Sequence, residues 1–86
     1  MTASNTDHRL MTIASLRHIA TARAIRRATV IEHDGGGYRL ALDIGPETVL
    51  LAGARRMNQP RSFATIDGVI GTLRELGLRG FAVELA

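Results

Sequence analysis

The chain has 86 residues, of which 45% are hydrophobic and 22% charged, with a formal net charge of +3. A chain of this length forms one domain with a small core, and a second subunit often completes so small a core. The sequence contains no cysteine, which excludes disulfides and thiolate metal sites. Its polar opening and its short apolar runs predict neither a signal peptide nor a membrane span. We therefore expect a flexible segment over residues 1–7, a single α+β domain over residues 8–86, a cytoplasmic location in a bacterium and a homodimer.

The first third of the chain has the composition of a helix. Residues 8–30 are rich in Ala, Leu and Arg and contain no glycine or proline. We predict one N-terminal helix there, ending at Arg26 and Arg27. Residues 8–31 carry five arginines and two histidines but no acidic side chain. Two interpretations stay open: a solvated helix face whose last arginines complement the helix dipole, or a surface for phosphate or an acidic partner.

Three short β-branched or alternating segments follow, and they predict an antiparallel meander. The strands are expected over residues 28–33, 38–44 and 48–54, with Gly35–Gly37 providing the positive φ angles of the first hairpin. In the second strand Leu40 and Leu42 share one face, while Arg39 lies on the other. The third strand, TVLLAGA, is the most apolar, which favours either a central position in the sheet or a subunit interface.

The last third of the chain predicts a second helix and a closing strand. Five apolar residues recur at helical spacing, after Thr65 as the cap and before Gly77 as the left-handed stop: Ile66, Val69, Ile70, Leu73 and Leu76. Residues 80–86 then alternate as a short strand. Gly68 and Gly71 lie inside the helix, which predicts that another backbone approaches closely. The expected order of elements is α-β-β-β-α-β: N-terminal helix, three-stranded antiparallel meander, second helix, short C-terminal strand.

No residue pattern in the chain predicts catalysis. His8, His18 and His33 lie in separate contexts, without the spacing of a metal site or a nucleophile–base pair. We expect no enzyme activity, no cofactor, no metal and no small-molecule substrate. The candidate contact residues for nucleic acid or an acidic partner are arginines, expected to converge on one edge of the sheet: Arg23, Arg26, Arg27, Arg39, Arg55, Arg56 and Arg61.

Two segments resemble a known family. Residues 35–43 (GGGYRLALD) and 61–85 (RSFATIDGVIGTLRELGLRGFAVEL) resemble the ParC-type small proteins associated with plasmid partition. The resemblance is carried by residues that determine the fold. It implies a non-enzymatic role in plasmid partition or maintenance, beside a partition ATPase and a centromere-binding protein. It assigns no site residues.

A second resemblance covers Val30–Tyr38, which looks like the VIExDxxGGY opening of HicB-type antitoxins. This chain departs from that family in its long first helix and in having no DNA-binding module after the last strand. The alternatives are therefore a HicB-like antitoxin, another small DNA-binding regulator, or a general protein-interaction module. The expected partners are a second copy, a partition protein or duplex DNA, and no membrane.

Overall fold

The computed structural model describes residues 9–86, so the segment 1–7, predicted to be flexible, lies outside the described residues. Within this range the chain forms two helices and five strands, in the order β1 (Arg9–Met11), α1 (Ile13–Thr21), β2 (Ile25–Glu32), β3 (Tyr38–Ile44), β4 (Glu47–Leu51), α2 (Ile66–Glu75) and β5 (Ala82–Glu84). The predicted α+β class is confirmed. The predicted order of elements is wrong at its beginning, because a strand precedes the first helix.

The five strands form one mixed sheet in the order β1-β4-β3-β2-β5. Strands β2, β3 and β4 pair antiparallel, as the predicted meander requires, but they are only the centre of the sheet. Strand β1 pairs parallel to β4, and β5 pairs parallel to β2. Four strands therefore point the same way and β3 opposes them.

The prediction of one helix over residues 8–30 is wrong. Helix α1 begins after Thr12, whose side chain accepts a hydrogen bond from the Ser15 backbone N–H at 3.2 Å. It ends before Arg23, and the chain then enters β2, where Ala28 and Val30 are buried. Intrinsic helix preferences differ by no more than about 0.7 kcal/mol among ordinary residues, and burial of a central strand outweighs them. Arg26 and Arg27 therefore belong to a strand and do not end a helix.

Both helices pack on the same face of the sheet. Each connects two parallel strands, and such strands cannot be joined by a tight turn. The core between helices and sheet is aliphatic apart from Phe63, and its members are Leu16, Ala28, Val30, Leu40, Leu42, Val49, Leu51, Phe63, Val69, Leu73 and Leu76. An ion pair between Arg17 and Glu75 joins the two helices at the surface. On the opposite face of the sheet, a concavity is lined by residues of β2, β3, β4 and β5, and neither α1 nor α2 contributes to it.

The predicted ends of α2 are confirmed. The Thr65 side chain accepts a hydrogen bond from the Gly68 backbone N–H at 3.2 Å. Gly77 has φ +77°, and the Leu78 N–H donates to the Leu73 carbonyl at 2.9 Å. These two features are those of a Schellman ending, which satisfies carbonyl groups that the last helical turn leaves free.

The two glycines inside α2 do not meet another backbone within the described chain. A Cβ at Gly71 would have nothing within 4 Å, and one at Gly68 would lie 3.4 Å from the Phe63 ring. Both glycines are on the exposed side of the helix. The close backbone approach predicted from their spacing is therefore wrong for residues 9–86.

Candidate functional site

The structure divides the seven predicted contact arginines into three groups. Three lie around the beginning of β2, one lies on the uncovered face of the sheet, and three lie in the connection between β4 and α2. Because β2 and β4 are parallel, the beginning of β2 and the end of β4 are at opposite ends of the sheet. The seven arginines therefore do not converge on one edge as expected.

The first group forms a larger basic surface with an arginine that the sequence analysis missed. Arg23 and Arg79 line one surface depression, and Arg26 and Arg27 line a neighbouring one together with Phe81. We call these four arginines the basic cluster. All four are exposed. They come from the connection between α1 and β2, the first residues of β2 and the connection between α2 and β5.

No acidic side chain is paired with the basic cluster in the described part of the chain. The ion pairs between residues 9 and 86 are Arg9 with Glu47, at 3.4 Å, and Arg17 with Glu75. Neither involves a member of the cluster. Four exposed guanidinium groups without carboxylate partners create a local positive potential that favours an anionic ligand.

Two irregularities of the backbone lie inside the basic cluster. Arg23 has φ +58°, and among residues 9–86 every other residue with a positive φ is a glycine. The pairing of β2 with β3 shifts between Ile25 and Arg27, so that Arg26 is the extra residue of a β-bulge. Left-handed non-glycine residues and bulges cost stability and occur often at functional sites, where they orient side chains. The basic cluster is thus the place where this fold departs from regular geometry.

Arg39 belongs to a different surface. It lies on the uncovered face of the sheet, in a shallow concavity of about 420 Å³ that also contains Arg27, Asp43 and Glu84. Asp43 accepts a hydrogen bond from the Thr48 hydroxyl at 2.7 Å, and the Arg39 Nε is buried without a hydrogen-bond partner. Arg27 belongs to both surfaces, because it lies opposite Asp43 in the pairing of β2 with β3 and also lines this concavity. Here Arg27 and Arg39 are balanced by two carboxylates, whereas Arg23, Arg26 and Arg79 do not line it.

The third group lies at the other end of the sheet. Arg55 and Arg56 are exposed in the connection between β4 and α2. The guanidinium of Arg61 lies over the Phe63 ring, 4.5 Å from its centroid, which is a cation–π contact. The Arg61 backbone N–H also donates to the Leu51 carbonyl at 2.8 Å. Arg61 therefore stabilises the fold locally. The Arg56 carbonyl accepts a hydrogen bond from the Gln59 backbone N–H at 3.0 Å, while neither Arg55 nor Arg56 is in an ion pair within residues 9–86.

The sequence gives one signal for Arg79, which is its position between the second helix and the last strand. It follows the helix stop at Gly77 by two residues and precedes the last strand. The beginning of that strand lies beside the beginning of β2, because the two strands pair in parallel with Thr29 opposite Ala82. That pairing joins residues more than fifty positions apart in the chain, and only knowledge of it brings Arg79 to Arg26 and Arg27.

Two further observations concern the described residues as a whole. No group of three or more His, Asp or Glu side chains is placed to hold a metal ion between residues 9 and 86. No helix in that range is long and apolar enough to cross a membrane.

Comparison of the chain with models of known protein families, and with curated proteins, gives no significant match.

Proposed function

We propose that this chain is a non-enzymatic accessory protein of a bacterial plasmid partition or maintenance system, and that it binds a polyanionic partner through the basic cluster. The partition setting is supported by the resemblance of residues 35–43 and 61–85 to ParC-type proteins. The binding mode is supported by one structural observation: four exposed arginines, none in an ion pair within residues 9–86, come together from the first residues of β2 and from two connections.

Duplex DNA is the partner that this cluster suits best. Exposed guanidinium groups on loops and strand ends contact phosphate oxygens in any base sequence. Single-stranded nucleic acid needs stacking platforms, and the chain has three aromatic residues, of which Phe63 is buried in the core. Each phosphate contact contributes about −0.9 to the slope of log K against log salt, so four contacts give a slope of about −3.6. Affinity should then fall on the order of 100-fold between about 50 and 200 mM salt.

The test is a salt titration of binding to a short duplex, measured by fluorescence anisotropy. Changing Arg26 and Arg27 together to alanine should weaken binding and reduce the magnitude of the slope by about 2. The matched control changes Arg55 and Arg56 to alanine, which removes the same charge from exposed positions at the other end of the sheet. This control should keep most of the affinity and the slope. Circular dichroism of both variants checks that they remain folded.

Two results would contradict DNA binding at the basic cluster. Equal losses in the two double variants would mean that net charge governs the binding, and not the cluster. The absence of any binding at low salt would remove DNA as the partner. The remaining partner would then be a protein with an acidic surface, and the candidates are a partition ATPase and a centromere-binding protein.

One observation favours that protein partner as a second candidate. Phe81 is 38% exposed and lines the same depression as Arg26 and Arg27. An aromatic ring beside arginines is typical of protein interfaces. In this case Phe81→Ala should weaken capture of the purified partition protein, whereas DNA affinity should be little changed. The two candidates are therefore separated by the same small set of variants.

A further inference from the structure

Strand β5 leaves an apolar row exposed at the edge of the sheet. Phe81, Val83 and Leu85 are 38%, 47% and 76% exposed. Val83 pairs with Val30, whose side chain is in the core. Val83 therefore points to the side that carries the helices. Continued alternation would put Phe81 and Leu85, which directly flank the strand, on the same side. The helices cover the centre of the sheet, and they do not bury this row.

The outer edge of β5 is also free for pairing. Within residues 9–86, β5 is the last strand of the sheet and pairs only with β2. The strand is held beyond Glu84, since the Glu32 carboxylate accepts a hydrogen bond from the Ala86 backbone N–H at 3.2 Å. Natural edge strands avoid association through short length, charged side chains, proline or a bulge. β5 is short and carries Glu84, but residues 81–85, FAVEL, contain neither lysine nor proline, and no register shift interrupts the pairing of Ala82–Glu84 with β2.

We propose that a second copy of this chain pairs with β5 through its own β5, antiparallel and centred on Val83. The result is a continuous ten-stranded sheet. This proposal does not rest on the basic cluster or on DNA binding. It places Phe81 in the dimer interface, so it excludes Phe81 as the contact for the protein partner considered above. It also replaces the interface expected at the third strand, because β4 lies between β1 and β3 and its residues Val49, Leu50 and Leu51 are buried.

The sequence of β5 selects a second copy as the occupant. With the axis at Val83, each Phe81 faces the Leu85 of the second copy, and the two Val83 side chains face each other. Each Ala82 faces a Glu84, so no like charges are opposed. Aromatic–aliphatic pairs across strands stabilise a sheet, whereas directly opposed like charges destabilise it. An axis at Glu84 would oppose two carboxylates, and axes at Phe81, Ala82 or Leu85 would leave part of the apolar row without an apolar partner.

The first test uses charge reversal at the axis, read by sedimentation or light scattering at micromolar and higher concentrations. The unaltered chain should have twice the 9.3 kDa mass of one copy. Val83→Glu and Val83→Lys should each give a single copy, because equal charges then face each other. An equimolar mixture of the two variants should restore the dimer. Met57→Glu is the matched control, since Met57 is an apolar residue, 61% exposed, in the connection between β4 and α2, and this variant should remain dimeric.

The second test fixes the register by a disulfide. The chain has no cysteine, so Val83→Cys introduces a single thiol. Opposed residues of antiparallel strands have Cα atoms about 4.5–5.5 Å apart, which is within the range of a disulfide. Mild oxidation should convert Val83→Cys to a covalent dimer much faster than Met57→Cys.

Each contrary result overturns the proposal. An unaltered chain that sediments as a single copy removes the dimer. A Val83→Glu variant that remains as dimeric as Met57→Glu places the interface elsewhere. A mixture of the Glu and Lys variants that stays monomeric, or a Val83→Cys variant that oxidises no faster than Met57→Cys, excludes the axis at Val83. In those last cases an extended segment of another protein is the remaining occupant of the β5 edge.

Discussion

The left-handed conformation of Arg23 should lower the stability of the fold, and a glycine substitution measures by how much. Arg23 closes α1 with φ +58°, and its backbone N–H donates to the Ala20 carbonyl at 2.9 Å. A left-handed residue with a Cβ costs roughly 1–2 kcal/mol, which glycine avoids. A glycine at position 23 also makes the unfolded chain more flexible, which lowers the free energy of unfolding by about 0.4–1 kcal/mol. Arg23→Gly should therefore raise the free energy of unfolding by about 0.5–1 kcal/mol.

The assay is urea denaturation followed by far-ultraviolet circular dichroism, with Arg23→Ala as the control. Both variants lose the same exposed charge, so their difference isolates the backbone conformation. Arg23→Ala keeps the left-handed Cβ and should lie within about 0.5 kcal/mol of the unaltered chain. A gain of 0.5–1 kcal/mol in Arg23→Gly corresponds to a rise in Tm of about 2–8 °C. The reasoning is refuted if Arg23→Gly is no more stable than Arg23→Ala.

Two glycine substitutions should have opposite effects, and the same denaturation assay checks both. Gly71→Ala should raise the free energy of unfolding by about 0.5–1 kcal/mol, because the new methyl group meets nothing within 4 Å and alanine is the better helix former. Gly37→Ala should lower it by more than about 1 kcal/mol, since Gly37 has φ +89° and a Cβ there would lie 2.9 Å from the Ser62 hydroxyl and 3.2 Å from the Phe63 carbonyl. A loss of stability in the first variant, or none in the second, would contradict the packing described for these positions.

The elements that the sequence predicted well are those whose signals are local. The bounds of β3, Tyr38–Ile44, are those of the predicted second strand, because a strict alternation lies between two glycine turns. The cap at Thr65 and the stop at Gly77 are also local, and both are confirmed. In each case the residues that decide the conformation are within a few positions of one another.

The elements that the sequence predicted poorly depend on distant partners. The pairing of β1 with β4 joins Leu10 to Leu50, and nothing in residues 8–12 indicates that this strand is required. The sequence also gives no signal for the end of α1, since the left-handed residue there is Arg23 and not a glycine. No glycine or proline separates residues 25–27 from the helix-rich segment before them, and they become the start of a strand because β3 pairs with them. Tertiary pairing outweighs local preference at these positions.

The same errors explain why only part of the candidate site was predicted. Arg23, Arg26 and Arg27 are predicted from the absence of acidic residues around them. This criterion depends on composition alone, so assigning the segment to the wrong element does not affect it. Arg55, Arg56 and Arg61 were chosen by an expected convergence that depends on topology, and the topology places them at the other end of the sheet. Arg79 was missed because its neighbours are set by the parallel pairing of β5.

The fold also bears on the two interpretations of the arginine-rich first third. A solvated helix end explains arginines only within the last turn of a helix, since the dipole effect falls off beyond it. Helix α1 ends at Thr21, so Arg26 and Arg27 lie four or more residues past that end, in β2 and beside its bulge. Helix dipoles therefore account at most for Arg23, which lies two residues past the end of α1, whereas Arg79 lies four residues past the end of α2. Since the dipole does not explain Arg26 and Arg27, the double variant of these two residues is the one that tests the proposed function.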